Sequence, residues 1–310
     1  MDIYVKKAII HQFSPDDTDL YLADKFLNIT PKIEEYLRKK IERVYSDEAR
    51  TGIFEEDNPF LEMISDDLLE TSVAVANRWK EEFVVSENQK TNDLVFIQFS
   101  KEGVDHFAFL RIALRETLTH LGGEVDNPIK LTQNNLPGFG TGADEALVIN
   151  LQSRKYHLIE KRIKYNGTFL NYFSENLLQA QPKISPKKSI KALEKTAQKI
   201  AESFNTDDFQ FQSKVKSAIF NHIEEENKLS PEKLADDLFN DNLTARLSFI
   251  DQVKEAVPEP VTFEEIDASR QLKKFENQKL SLSNGIELIV PNNVYEDAES
   301  VEFILNENGT

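Results

Sequence analysis

Cysteine is absent from this 310-residue chain, and its absence excludes several kinds of site. Disulfides, thiolate nucleophiles, cysteine-ligated zinc and iron–sulfur clusters all require it. Long apolar runs are also missing: no window approaches 18 uncharged apolar residues, so no membrane span is predicted. The first residues show neither an apolar signal-peptide core nor a small-residue cleavage site. A cytoplasmic location is therefore expected.

Glycine is scarce, and five of the ten glycines lie between residues 122 and 142. Gly138, Gly140 and Ala143 match the spacing of a dinucleotide-binding loop. That loop requires a strand before its glycines and a helix after them. Here a polar segment comes first and the predicted strand "ALVINL" follows, so we expect a long connecting loop over residues 120–144 and no bound nucleotide. Loops of this length are uncommon unless they bind something or are disordered, and the sequence leaves its role open.

Catalytic motifs are equally sparse. The five histidines are scattered without metal-binding spacing, and no G-x-S-x-G segment is present. Asp144 and Glu160 lie on neighbouring predicted strands and weakly match metal-dependent nucleases, although Arg162 stands where those enzymes place a lysine. We predict a protein that is not an enzyme, with no catalytic residue, metal or cofactor, and keep a metal-dependent nuclease as a minor alternative.

Basic residues are outnumbered, 37 to 54, which gives a formal net charge of −17. Such a charge opposes DNA binding as a whole. The basic residues are concentrated, however: residues 154–205 contain 11 basic and 4 acidic side chains, a net of +7, whereas each remaining part of the chain is acidic. A local polyanion-binding surface is therefore compatible with the acidic whole.

Apolar periodicity and turn signals predict an α+β fold. Strands are expected at residues 3–13, then as hairpins at 93–100 with 104–114 and at 145–151 with 156–163, since adjacent strands with short connections pair antiparallel. Thr30-Pro31 and Asn58-Pro59 are typical helix starts, the second helix reaching about Phe83. Helical periodicity returns at Thr168. Further helices are predicted at about 186–204, 208–226, 231–240 and 244–256, and strands at 279–290 and 300–305.

These elements indicate three regions. Residues 1–182 are expected to form an α+β domain in which helices flank an antiparallel sheet. Residues 183–260 would form a helical region with a basic first helix, and residues 261–310 a linker with a small β element. Asn308-Gly309 is a strong hairpin signal with one residue after it. We therefore expect the natural chain to continue beyond a truncation inside this final hairpin.

The basic first helix, "SPKKSIKALEKTAQKIAESF" at residues 185–204, carries the clearest functional pattern. At 100° per residue one side is apolar: Ile190, Leu193, Ala197, Ile200 and Phe204. The opposite side is basic: Lys187, Lys188, Lys191, Lys195 and Lys199. Lysines four residues apart repel each other, and a polyanion would relieve that repulsion and release counterions. The row predicts a DNA-backbone contact; the alternative is a solvated face or one that meets an acidic surface.

A second basic cluster covers residues 154–164. Alternation along a strand divides its side chains between two faces, so no single strip collects them. Arg154 and Lys161 are therefore secondary candidates for DNA contact.

Several blocks together resemble one known family. They are "IIHQF" at 9–13, "RVY" at 43–45, "GADEALVINL" at 142–151, "RKYHLIEKRI" at 154–163 and "SNGIELIV" at 283–290. Their order over nearly the whole chain resembles the NdpA/YejK-type bacterial nucleoid-associated proteins. The resemblance implies a cytoplasmic protein that collects on the nucleoid, with no established enzymatic activity.

Two hypotheses follow for the molecular role. In the first, a non-catalytic nucleoid protein contacts DNA backbone weakly and without sequence specificity through the basic helix. In the second, an acidic adaptor reaches the nucleoid through a DNA-associated protein such as a topoisomerase. A steep salt dependence of DNA affinity would distinguish the first from the second. The oligomeric state stays open.

Overall fold

The computed structural model describes residues 1–16, 18–86, 90–120, 129–165, 167–205, 211–281 and 286–295. The chain divides into two compact units. The first consists of Met1–Tyr45 and Ala49–Lys183, and the second of Ser46–Glu48 and Ile184–Thr310. The predicted α+β class, with a large antiparallel sheet, flanking helices and a small C-terminal strand pair, is confirmed.

A seven-stranded antiparallel sheet organises the first unit. The strands of this unit are β1 (Ile3–Ser14), β2 (Asp19–Tyr21), β3 (Arg50–Ile53), β4 (Asn92–Lys101), β5 (Val104–Ala113), β6 (Arg115–His120), β7 (Ile129–Asn135), β8 (Glu145–Asn150), β9 (Lys155–Ile159), β10 (Ile163–Tyr165) and β11 (Thr168–Leu170). The sheet order is β2-β1-β4-β5-β8-β9-β3. Both predicted hairpins, β4 with β5 and β8 with β9, are confirmed.

Helices of the first unit cover both faces of this sheet. They are α1 (Pro31–Glu42), α2 (Pro59–Glu62) and α3 (Leu68–Phe83). Successive strand residues point to opposite faces. Phe96 accordingly packs in the apolar cluster that contains Trp79 of α3, whereas its neighbour Ile97 packs in the cluster that contains Ile41 of α1. Each face therefore has its own apolar core.

The predicted helix starts are confirmed, but the second helix is shorter than expected. Thr30 accepts a hydrogen bond from the Ile33 N–H, and Pro31 occupies the first turn. The single helix expected from Asn58 to Phe83 is wrong: α2 ends at Glu62, and α3 begins after Asp67, whose side chain accepts from the Leu69 N–H at 2.9 Å. The aspartate favours a new N-cap over a continuous helix.

The helix expected from Thr168 is also corrected. Residues Thr168–Leu170 form β11, which pairs with β10, and helical geometry is confined there to a π-helical turn at Phe173–Leu177. Gly167 adopts a positive φ of 82° between the two strands. An Asn-Gly pair at 166–167 is the typical two-residue hairpin signal, and it outweighs the helical periodicity that follows.

The predicted loop over residues 120–144 contains a strand. β7 pairs with β6 as a separate two-stranded sheet, and residues 121–128 between them lie outside the described chain. The sequence of β7, "IKLTQNN", alternates between apolar and polar residues only at its first residues and is polar after them. The strand was therefore not predicted.

The second unit is mainly helical. Its elements are α4 (Pro186–Ser203), α5 (Phe211–Glu226), β12 (Lys228–Leu229), α6 (Pro231–Phe239), α7 (Leu243–Ala256), β13 (Val261–Thr262), α8 (Ser269–Phe275), β14 (Asn277–Ser281), β15 (Glu287–Pro291) and α9 (Asn292–Tyr295). One apolar cluster contains residues from each of the helices α4, α5, α6, α7 and α8, and Leu193, Ile219 and Phe249 are fully buried in it.

The four helices predicted in this unit are present, whereas the β elements are divided differently. The strand expected at 279–290 is two strands, β14 and β15, which pair antiparallel. α8 was not predicted. The strand expected at 300–305 and the hairpin signal at Asn308-Gly309 lie outside the described residues.

Candidate nucleic-acid interface

The lysine row of α4 lies on the surface of the second unit. Ile190, Leu193 and Ala197 on the other side of the helix are almost fully buried. Their burial orients the helix, because an amphipathic helix turns its apolar stripe toward the core. All five lysines of the row are exposed as a result: Lys187, Lys188, Lys191, Lys195 and Lys199.

The five lysines differ in their partners. The Lys187 Nζ lies 2.5 Å from Glu48 Oε1, and that hydrogen bond raises the pKa of Lys187. Lys199 donates to the neutral amide of Gln252 at 3.0 Å. In contrast, the Lys188, Lys191 and Lys195 side chains have no ion pair or hydrogen bond to any part of the chain that the structure describes. The free positive charge is therefore concentrated between Lys188 and Lys195, within the first ten residues of the helix.

Two acidic residues on α4 could weaken this charge. Glu194 is offset by Lys274 of α8, whose Nζ lies 3.7 Å from its Oε2. Glu202 accepts a hydrogen bond at 3.1 Å from Gln198, whose neutral amide offsets no charge. Sequence analysis missed Lys274 because α8 was not predicted, although the basic pair Lys273-Lys274 beside apolar Leu272 and Phe275 was a usable signal.

The spacing of the row suits a regular polyanion. From Lys188 to Lys199 the helix rises about 16 Å, at 1.5 Å per residue. Phosphates on one DNA strand are spaced about 3.4 Å along the duplex axis. The length of the row is thus comparable to a few phosphate spacings.

The secondary candidates belong to the first unit, and both are paired. Arg154 forms an ion pair with Glu56 at 3.1 Å. Lys161 lies 3.0 Å from Asp144 Oδ1. To bind a phosphate, each cation would have to give up or share its carboxylate partner. Each is therefore expected to contribute less binding free energy than a lysine without such a partner.

The glycine-rich loop directs its carbonyl oxygens at the ammonium group of a lysine in the same chain, and not its N–H groups at an anion. The buried Lys40 Nζ of α1 donates to the carbonyls of Pro137, Gly138 and Thr141, at 3.3, 2.9 and 2.5 Å. Burial and two nearby arginines lower the pKa of Lys40 to about 8, so the ammonium form still predominates at neutral pH. A phosphate cradle presents backbone N–H groups. Carbonyls directed at a lysine are the opposite arrangement and give no support to nucleotide binding.

Asp144 and Glu160, the residues of the nuclease alternative, are engaged separately. Burial opposes ionisation of Asp144, but the Ala113 N–H, Lys161 and Arg111 outweigh it and lower the pKa of Asp144. Burial raises the pKa of Glu160, which nevertheless accepts from Ser174 and pairs with Arg50.

The pleat of the sheet also separates these two carboxylates. Ala146 pairs with Ile159, so Asp144 continues the face of Ala146 while Glu160 continues the opposite face, that of Leu158. Within the described residues no group of three His, Asp or Glu side chains is placed to hold a metal ion.

A comparison with family models adds independent information. The model described as nucleoid-associated protein YejK matches residues 9–309. No curated protein matches the chain. Among the described helices, none is sufficiently long and apolar to cross a membrane.

Proposed function

Because the chain belongs to the family of the nucleoid-associated protein YejK, we propose that it is a non-catalytic nucleoid protein that contacts DNA backbone through the α4 lysine row. One observation carries the proposal: Lys188, Lys191 and Lys195 are exposed and have no acidic partner in the described chain. In a protein of net charge −17, such a row keeps its self-repulsion until an external anion relieves it.

The contact should be weak and independent of sequence. Lysine–phosphate contacts fix position on the duplex but carry no base information. If Lys188, Lys191, Lys195 and Lys199 each neutralise one phosphate, the slope of log affinity against log salt is about −3.6. The acidic remainder of the protein lowers the absolute affinity, because it is repelled by the same phosphates.

Fluorescence anisotropy of a labelled duplex, titrated at several salt concentrations, tests this proposal. The wild type is compared with a variant carrying Glu at Lys188, Lys191, Lys195 and Lys199. A matched control carries Glu at four exposed lysines of the first unit, Lys25, Lys32, Lys90 and Lys130. Both variants change the net charge equally, so only the position of the charge differs.

We expect salt-sensitive binding that is lost in the α4 variant and retained in the control. Among single substitutions, Lys191→Ala should reduce the salt slope by about 0.9, and Lys187→Ala by less, because Glu48 already neutralises Lys187. Arg154→Ala and Lys161→Ala should also have small effects, since Glu56 and Asp144 compete for those cations. Equal loss in both quadruple variants would mean that total charge, and not α4, governs binding.

A protein-mediated route to the nucleoid is the second candidate, favoured by the acidic composition and by the pairing of Lys187, Arg154 and Lys161 with carboxylates. In that case the wild type binds no duplex even at low salt. Capture of a purified DNA-associated protein such as a topoisomerase, after nuclease treatment to remove DNA bridges, would then identify the route. Capture that disappears on nuclease treatment would exclude it.

The non-catalytic part of the proposal has its own test. Supercoiled plasmid incubated with the protein and Mg²⁺ or Mn²⁺ should stay intact, because Asp144 and Glu160 lie on opposite faces of the sheet. Nicking that is abolished by Asp144→Ala would overturn this part and establish the nuclease alternative.

A further inference from the structure

A second basic segment, separate from α4, includes the small β10–β11 hairpin of the first unit. Residues 154–170 contain five basic side chains and one acidic side chain, a net charge of +4 in a chain of net charge −17. Glu160 is the single acid of the segment, and it is already paired with Arg50. The segment therefore attracts anions, although the protein as a whole repels them.

The core of the first unit holds one face of this hairpin. Ile163, Tyr165 and Leu170 pack against the apolar cluster that contains Trp79. The Tyr165 hydroxyl also donates a hydrogen bond to Glu82 at 3.2 Å. Successive strand residues point to opposite sides, so these contacts turn the other face of the hairpin to solvent.

The outward face carries an aromatic ring beside two cations. Phe169 is 57% exposed and belongs to none of the three apolar clusters of the described chain. Lys164 lies directly opposite Phe169 in the hairpin register and is also exposed. The guanidinium of Arg162 donates to the Phe169 carbonyl at 2.8 Å, and within the described residues it has no carboxylate partner. One ring and two cations are thus displayed together on a hairpin that is anchored in the core.

This combination matches the chemistry of a single-stranded nucleic acid. Unpaired bases stack on exposed aromatic rings, while lysine and arginine side chains hold the neighbouring phosphates. In a duplex the bases are already stacked on each other, and a base must leave the stack before a protein side chain can cover its face. An acidic peptide would use the two cations but has no flat group to cover the ring.

We propose that the outward face of the β10–β11 hairpin, formed by Arg162, Lys164 and Phe169, binds single-stranded nucleic acid. A base stacks on the Phe169 ring, and the two cations contact the flanking phosphates. This surface belongs to the first unit and is independent of the α4 contact with duplex DNA. Because it recognises base faces and phosphates, it accepts open DNA strands and RNA alike.

Fluorescence anisotropy with short labelled strands of equal length tests this site. The strands are oligo-dT, oligo-rU and a strand of abasic sites, which keeps the phosphates but lacks the bases. Phe169→Ala should weaken binding of the two base-carrying strands by about fivefold or more, since stacking on one aromatic side chain is lost. Its affinity for the abasic strand and for a duplex should stay at the wild-type value. Arg162→Gln with Lys164→Gln should weaken binding of all three single strands.

Tyr4→Ala is the matched control, because Tyr4 is another aromatic residue of the first unit and is 63% exposed. It should leave every affinity unchanged. Equal weakening by Tyr4→Ala and Phe169→Ala overturns the proposal, and so does a wild type that binds neither base-carrying strand at low salt. Equal weakening of the base-carrying and abasic strands by Phe169→Ala would mean that the hairpin binds anions without stacking. A difference between oligo-dT and oligo-rU would identify the preferred nucleic acid.

Tryptophan fluorescence gives a direct measurement of stacking. The chain has one tryptophan, Trp79, which is fully buried. Phe169→Trp adds an exposed indole, and oligo-dT should quench its emission whereas the abasic strand should not. No quenching by oligo-dT at saturation contradicts stacking at this position.

The variant with Glu at the four α4 lysines separates this proposal from the α4 contact. It should lose affinity for the duplex and keep an affinity for oligo-dT that depends on Phe169. If the wild type binds no duplex, the α4 contact is wrong, and the effect of Phe169→Ala on oligo-dT still decides the hairpin site. If Phe169→Ala has no effect on oligo-dT, the hairpin site is wrong whatever α4 does.

Discussion

Gly52 and Tyr156 face each other across the β3–β9 pair, and the fit depends on the missing side chain. A Cβ built on Gly52 would overlap the phenol ring of Tyr156, which is buried and has its pKa raised to about 12 by that burial. Glycine in a strand often marks such a close approach. At this position it lets an aromatic side chain cover the backbone at the edge of the sheet.

Gly52→Ala should therefore destabilise the protein by about 1–3 kcal/mol, the usual cost of forcing extra volume into a packed site. Urea denaturation measures the change. Gly138→Ala is the matched control, because nothing lies within 4 Å of a Cβ built there. A control as damaging as Gly52→Ala would show that glycine flexibility, and not the contact with Tyr156, determines the effect.

His11 is a buried histidine whose hydrogen bonds define its tautomer. Its Nδ1 accepts from the Ala23 N–H at 3.0 Å, and its Nε2–H donates to the Ser72 hydroxyl, which itself donates to the Leu69 carbonyl. Burial lowers the pKa of His11 to about 4. The neutral ring is thus the form that the folded protein accommodates.

This predicts a component of acid lability. A histidine in the unfolded chain has a pKa near 6.5. Between pH 6.5 and about 4 His11 is therefore protonated in the unfolded chain and neutral in the folded chain. The stabilising contribution is complete above pH 6.5 and falls by up to about 3 kcal/mol as pH decreases through that window. Free energies of unfolding measured across the window should fall less steeply in His11→Gln. Identical slopes in the wild type and in His11→Gln would refute the assignment.

At the scale of elements, α1 and the glycine-rich loop are joined by the buried Lys40 ammonium group and by Tyr36. Lys40 donates to three loop carbonyls, and Tyr36 of the same helix donates to the Pro137 carbonyl at 3.0 Å and packs edge-on against Phe139. Loops are usually the least stable parts of a fold. These contacts should hold residues 136–143 as firmly as the helix itself.

Lys40→Met should release this loop. The substitution keeps much of the side-chain volume but leaves the carbonyls without their donor, at a cost of about 1–3 kcal/mol. Hydrogen exchange of the loop amides should accelerate while the amides of the central strands keep their protection. Lys39→Met provides the control, since Lys39 lies on the surface side of α1 and pairs with Glu42 at 3.1 Å. Unchanged exchange in Lys40→Met would show that other contacts order the loop.

At the scale of the whole molecule, the net charge of −17 should lower the affinity of the proposed α4 contact for DNA, because the acidic remainder of the protein is repelled by the same phosphates.

Local patterns were sufficient for much of the architecture. Alternation identified the central strands, short connections identified the antiparallel hairpins, and Thr30-Pro31 with Asn58-Pro59 identified helix starts. The errors also have local causes: the cap at Asp67 divided one helix, and β11 begins directly after Gly167, which has a positive φ, where a helix was expected. Competing local signals of similar strength cannot be ranked from sequence alone.

The sequence by itself determined the amphipathic character of α4, because the 3.6-residue period places Ile190 and Leu193 opposite Lys191 and Lys195 wherever the helix packs. Only the tertiary structure decided which of these lysines are free. Glu48 neutralises Lys187 across a separation of 139 residues, and Lys274 offsets Glu194 from a helix that was not predicted. The same holds for Lys40 and its loop carbonyls. Ion pairs and hydrogen bonds act over a few ångströms in space, and residues this far apart in the chain come within that range only when the fold is complete.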